Sequence, residues 1–142
     1  MILLDTNVVS DSSRPRPHLS VWKWFNAQRP TDLFICAPVL AELKYGIERL
    51  SEGVRRSFLE RWLRSIEEEG FSDRILPFER RAAHEFGRFL HSRMTKGRPI
   101  KTMDVIVASI AKAEGATLAT RDIDDFADLD LELINPFDFD AT

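Results

Sequence analysis

Ile2-Leu3-Leu4-Asp5-Thr6-Asn7 decides the reading of this chain. An apolar run this short, closed at once by polar residues, has the pattern of a buried strand. Asp5-Thr6-Asn7 then has the capping-prone character of a strand-to-helix turn. Asp5 therefore has two readings. It is an N-cap and nothing more, or it is a site acid at the carboxyl end of a buried strand, where desolvation presses on its charge.

Outward from this strand the chain alternates. Residues 33–36 form a second apolar run, 74–77 a brief third, 116–119 a fourth, and 131–134 a last one stopped by Asn135-Pro136. Between them lie helical periodicities. Residues 18–28 carry Val21, Trp22 and Phe25 on one face. Pro38 suits a first helical turn, and the helix it opens buries Val39, Leu40, Leu43, Ile47 and Leu50. Residues 57–69 turn Phe58, Trp62, Leu63 and Ile66 inward, and residues 80–94 turn Ala83, Phe86, Phe89 and Leu90 inward. Thr102 is expected to cap a helix running to about Glu114, which Gly115 ends. Strands alternating with helices predict an α/β fold, a parallel sheet flanked by helices on both faces. Sites in such sheets form outside the carboxyl ends of the strands, where Asp5 and Asp122 both stand.

The composition fits this picture. The chain has 142 residues, enough for one domain with a real core, and its 44% hydrophobic and 30% charged residues are ordinary for a soluble domain. A net charge of −3 argues against a nucleic-acid coat protein, though not against an enzyme that touches nucleic acid briefly. The single cysteine, Cys36, forbids an internal disulfide and points to a reducing compartment. Neither a signal peptide nor a membrane-spanning run is recognisable, so the expected location is cytoplasmic. Residues 1–137 read as one domain and 138–142 as a short tail.

Four acids stand where solvation alone explains them poorly. Besides Asp5, Glu42 lies beside the apolar stripe of its helix, where a solvated edge position is the plainer reading. Asp104 opens the least charged helix, Val105-Ile106-Val107-Ala108-Ser109-Ile110-Ala111, in a first turn whose dipole favours a carboxylate. Asp122 follows the strand Thr117-Leu118-Ala119-Thr120 and shares its loop with Asp124 and Asp125, which leaves a merely solvated acidic loop as the alternative. The spacing does not match an EF-hand. Gathered together, four carboxylates need protons or divalent cations. Magnesium binds through hard oxygens, and one or two ions can activate water and relieve charge on a leaving oxygen. The joint pattern predicts a magnesium-dependent nuclease.

The motifs resemble those of PIN-domain proteins. Met1 to Ser10 looks like the family's opening, Ala41-Glu42-Leu43-Lys44-Tyr45-Gly46-Ile47 its second motif, and Asp104 with the apolar helix after it its third. Ala119-Thr120-Arg121-Asp122, with Asp125-Phe126 following, resembles the fourth. Ile134-Asn135-Pro136-Phe137 resembles the ending of the VapC and FitB branch, where the last position is often Trp. The resemblance implies a five-stranded parallel sheet and a toxin of a bacterial type II toxin–antitoxin pair, acting as a Mg2+- or Mn2+-dependent ribonuclease. It carries metal-binding roles to Asp5, Glu42, Asp104 and Asp122, with Thr6, Thr120 and Asp125 in support. Many relatives have Asn at the position of Asp122, and a small residue is common where Met103 stands. It further implies a homodimer, and a cognate antitoxin whose tail crosses the site and which binds operator DNA with the toxin.

An acidic pit needs a basic rim if it is to take RNA. The candidates are Arg14 and Arg16 in the first loop, Lys96, Arg98 and Lys101 before Asp104, and Arg121 beside Asp122; ordinary solvated loop charge is the plainer reading of each. The larger aromatics read as core or dimer surface, and His18, His84 and His91 lack zinc-site spacing. Three rivals compete with the ribonuclease. A phosphatase with a nucleophilic aspartate wants a second acid two positions on, where Asn7 stands. A phospho-acceptor receiver wants adjacent acids after its first strand. The third is an inactive module of the same fold that only binds an antitoxin.

Overall fold

The computed structural model describes residues 1–140. Five parallel strands form one sheet: β1 (Ile2–Leu4), β2 (Leu33–Cys36), β3 (Ile75–Leu76), β4 (Thr117–Ala119) and β5 (Leu133–Ile134), in the order β3-β2-β1-β4-β5. The chain winds outward from β1 in one direction and then returns to lay β4 on its other side. The β1/β4 junction is therefore the topological switch point, where the crossovers on either side leave a crevice. Leu3, Leu4, Leu118 and Ala119 are wholly buried, as strands covered on both faces require.

Seven helices fill the crossovers: α1 (Thr6–Asp11), α2 (Leu19–Asn26), α3 (Ala37–Glu48), α4 (Val54–Ser65), α5 (Arg80–Thr95), α6 (Thr102–Glu114) and α7 (Ile123–Phe126). α6 is the most buried, through Val105, Val107, Ala108, Ile110 and Ala111, and packs extensively on α5. Gly115 ends it in the left-handed conformation at φ 63°, a geometry glycine adopts without penalty. No helix among the described residues is long and apolar enough to cross a membrane. Phe137 and Phe139 pack against the core at the chain's end; residues 141–142 of the expected tail lie outside the described residues.

Four local expectations are corrected. In α2 the inward stripe is Val21, Trp24 and Phe25, while Trp22 is 60% exposed; spacing of three and four residues fits the first set, and Trp22 lies about 100° around the helix from Val21. In α5 the buried phase is Ala82, Phe89 and Arg93, so Ala83 faces out. In α4, Phe58 is exposed to 43% with Arg55 lying over its ring. Finally, Thr102 does not cap α6. The backbone stays extended through Lys101, which is the N-cap, so Thr102 is already the first helical residue.

Candidate active site

The β1/β4 register builds the centre of the site. Leu4 pairs with Ala119, so the next residues, Asp5 and Thr120, meet at the carboxyl edge. The Asp5 backbone N–H donates to the Ala119 carbonyl at 2.9 Å. The buried Thr120 hydroxyl donates to Asp5 Oδ2 at 2.8 Å and accepts from the Asp122 N–H at 3.0 Å. Asp5 also caps α1, accepting from the Thr6 N–H at 2.8 Å. The capping reading of Asp5 therefore holds, and the same carboxylate also lines the pocket described below.

Glu42 comes from α3, half-buried, and accepts from the Thr6 hydroxyl at 2.9 Å. Asp104 comes from the first turn of α6, and Asp122 from the turn after β4. All four acids line one pocket of about 520 Å³, together with Thr6, Asn7, Ser10, Lys101, Thr102, Met103 and Asp125.

The charges strain one another. Burial, the largest cause, raises the Asp5 carboxyl above its ordinary range; hydrogen bonds from Thr120 and Thr6 oppose this, and the charges of Glu42 and Asp122 add to it. Asp104 is pushed up to about 6, first by desolvation, then by Asp5 and Glu42, with Lys101 pulling the other way. Beneath the pocket the buried Cys36 thiol is pushed up to about 12, chiefly by desolvation. Lys101 is the only cation among the pocket's lining residues, set against five carboxylates.

The donor set is all hard oxygen, and it lacks enough positive charge of its own, so it suits a divalent cation such as Mg2+ or Mn2+. Among the described residues no three acid, histidine or cysteine groups close into a ready-made cage. An open ring of carboxylates is nonetheless compatible with magnesium, which keeps several waters and takes one or two protein carboxylates.

The basic rim divides. Lys101 lines the pocket. Lys96 and Arg98 instead turn to Asp128, at 3.8 and 3.1 Å, beside the buried Arg93, whose Nε lies 2.5 Å from Asp128 and whose other arm donates to the Asp125 carbonyl. Arg121 lies over the Phe137 ring, 4.2 Å from its centroid.

Asn7, read from the sequence only as part of a capping turn, joins the site. Its Nδ2 donates to Asp122 Oδ2 at 3.0 Å and reaches Asp5 at 3.5 Å, while its Oδ1 accepts from the Arg121 N–H at 3.1 Å. Its position two residues after Asp5, on the first turn of α1, was the available signal. A second, apolar concavity of about 330 Å³ lies apart from the acids, lined chiefly by Trp22, Phe25, Leu33, Ile66 and Phe71.

Residues 2–132 match the PIN domain family. The chain is 33% identical to the VapC ribonuclease Y4jK of Sinorhizobium fredii over 97% of its length and 99% of that protein's. It is 34% identical to Toxin FitB of Neisseria gonorrhoeae, covering 96% and 99%. Among solved structures, FitAB bound to an IR36 DNA fragment superposes with a TM-score of 0.91 at 32% identity, over 99% of both chains.

Proposed function

The chain belongs to the PIN domain family, and from that membership we propose that it is the toxin of a type II toxin–antitoxin pair, a Mg2+- or Mn2+-dependent endoribonuclease. The observation that carries this reading is the convergence of Asp5, Glu42, Asp104 and Asp122 on one pocket at the β1/β4 switch point. The relatives, a VapC ribonuclease and a toxin, agree with it.

Asp5, Glu42, Asp104 and Asp122 would hold the ion or ions. When bound, a divalent cation there supplies an activated water and relief of charge on the leaving oxygen of a phosphodiester. The chain's own part is orientation. Thr6 and Thr120 fix the Asp5 carboxylate, the Thr6 hydroxyl fixes Glu42, and Asn7 fixes Asp122. Such supporting hydrogen bonds hold ligand carboxylates ready and exclude other rotamers. Asp125 lines the same pocket and adds negative charge facing Asp104. Lys101 is placed to offset charge at the pocket's edge.

The proposed partner is a cognate antitoxin, with a homodimer of the toxin and an operator-bound complex as the assembly. Support comes from the FitAB–DNA complex. The apolar concavity at Trp22, apart from the acids, is the seat we assign to the antitoxin, because it offers an exposed nonpolar surface.

The test is cleavage of a mixed cellular RNA pool by the purified chain with Mg2+ or Mn2+ against EDTA, with Asp104→Asn as control. Metal-dependent cuts absent from the variant support the ribonuclease. Metal binding without cleavage of any RNA supports instead the inactive module that only binds antitoxin.

A further inference from the structure

Asp11 is an acid the pocket does not use, and it is 2% exposed. It accepts from the His18 backbone N–H at 3.0 Å and contacts His18 Nδ1 at 2.6 Å. A carboxylate so close accepts a hydrogen bond from Nδ1–H, and Nε2 is the ring nitrogen turned away from it. The Arg121 guanidinium lies 3.4 Å from that Nε2. Its flat face rests on Phe137, and His18 meets the same ring edge-on at a centroid distance of 5.1 Å. Arg121 is thus held by a face and by an edge, and neither contact neutralises it. Among the described residues no carboxylate stands within ion-pair distance of it.

Arg14 approaches from the other side, 3.3 Å from His18 Nδ1 and 3.6 Å from Asp11. Arg14 thus pairs with the one buried carboxylate and Arg121 with none, an excess of one positive charge beside an acidic pocket. Asn7 connects the two places, since it accepts from the Arg121 N–H and donates to Asp122.

We propose that Arg121 and Arg14, arranged about His18, form a phosphate-binding shoulder that takes a backbone phosphate of the RNA strand next to the acid pocket, a reading that rests on the ribonuclease function above. The chemistry is that of a pre-ordered fork. A guanidinium already fixed by stacking and by the neighbouring imidazole offers its remaining N–H groups to a phosphate without further loss of side-chain freedom. Lys96 and Arg98 are less suited, because Asp128 already occupies both. His18 is a positioning residue: it acts on the strand through Arg121.

The test is the salt dependence of binding a labelled single-stranded RNA of mixed sequence, on the Asp104→Asn background so that the strand is not cut. Each phosphate contact contributes about 0.7 to the slope of log affinity against log salt. Arg121→Ala and Arg14→Ala are each expected to bind several-fold more weakly and to flatten the slope by about that amount. Arg121→Lys keeps the charge but not the fork, so it is expected to keep the slope while binding more weakly. His18→Ala is expected to do the same, a separation that a merely structural loss would not give. Lys96→Ala and Arg98→Ala serve as the comparison, with smaller slope changes. Unchanged slopes in Arg121→Ala and Arg14→Ala, with the parent protein binding normally, overturn the shoulder alone. A parent protein that does not bind RNA, with a wild type that cuts none, overturns the ribonuclease reading as well.

Discussion

The Thr6 hydroxyl donates to Glu42 at 2.9 Å, joining the first turn of α1 to the middle of α3 across the mouth of the acid pocket. The same residue's backbone N–H holds Asp5. Thr6→Val keeps the branched shape and deletes only the hydroxyl bond. Loss of a supporting hydrogen bond to a ligand typically weakens metal affinity or activity by about 10–100-fold. The expected outcome is a loss in that range in Mn2+ affinity by titration calorimetry, with Thr6→Ser close to wild type. An unchanged affinity in Thr6→Val would remove Glu42 from the set of ligands.

Asp104 should destabilise the metal-free fold. Its carboxyl sits at about 6 in the folded chain against an ordinary value of 3.8. A raised folded value means that the folded state holds the proton more tightly. The stabilisation is complete below about 4 and is lost as pH rises through about 6. The whole shift would be worth about 3 kcal/mol; the side chain is only half-buried, so solvent screening reduces the expectation to about 1 kcal/mol. In EDTA at neutral pH, Asp104→Asn should therefore melt higher than wild type, and the difference should shrink toward pH 4. Added Mg2+ should stabilise the wild type more than the variant. Equal melting curves in EDTA at all pH values would contradict the crowding of charge at this pocket.

How much of this was legible in the sequence depends on distance along the chain. Leu4-Asp5 and Ala119-Thr120 could be read because each is a buried run with a polar stop, and the parallel register then brings them together. Asp104 could be read because an apolar helix begins beside it. Glu42 stayed ambiguous, since a helix edge is solvated unless something reaches it, and what reaches it is Thr6 on another helix. Lys96 and Arg98 looked free because their partner, Asp128, belongs to the loop beyond β4. His18 carries no spacing signal, and its place depends on how α2 packs against the one-turn helix Pro136–Asp138. Trp22 was misread because so short a stripe admits two phases.

Trp22 is exposed at the lip of the apolar concavity, so its removal should cost the isolated chain little. If the antitoxin sits there, a large aromatic at the contact is the type of residue that dominates binding, worth about 2 kcal/mol or more on truncation. Trp22→Ala should then weaken antitoxin binding by at least about 30-fold while metal-dependent RNA cleavage by the free chain is retained. Wild-type affinity for the antitoxin in this variant would place the partner elsewhere.

The Arg93–Asp128 pair should respond asymmetrically to the loss of either side. Arg93 is 2% exposed and has one carboxylate partner, with its other arm on the Asp125 carbonyl. Asp128 has three cations around it, and although burial opposes its charge, the hydrogen bond and charge of Arg93 together with Arg98 hold its carboxyl below the ordinary range. Removing Asp128 strands a buried guanidinium, a change that typically costs 3–5 kcal/mol. Removing Arg93 leaves Asp128 with Arg98 and Lys96, both half-exposed and able to follow it into solvent. Asp128→Ala is therefore expected to lose about 3 kcal/mol in urea unfolding, and Arg93→Met about half as much. Because Arg93 also fixes the Asp125 carbonyl, and Asp125 faces Asp104 in the pocket, both variants should loosen Mn2+ binding as well as the fold. Equal losses from the two substitutions would mean that the arginine finds other partners once Asp128 is gone, and that the acidic loop is held by its own packing through Phe126 and Leu129.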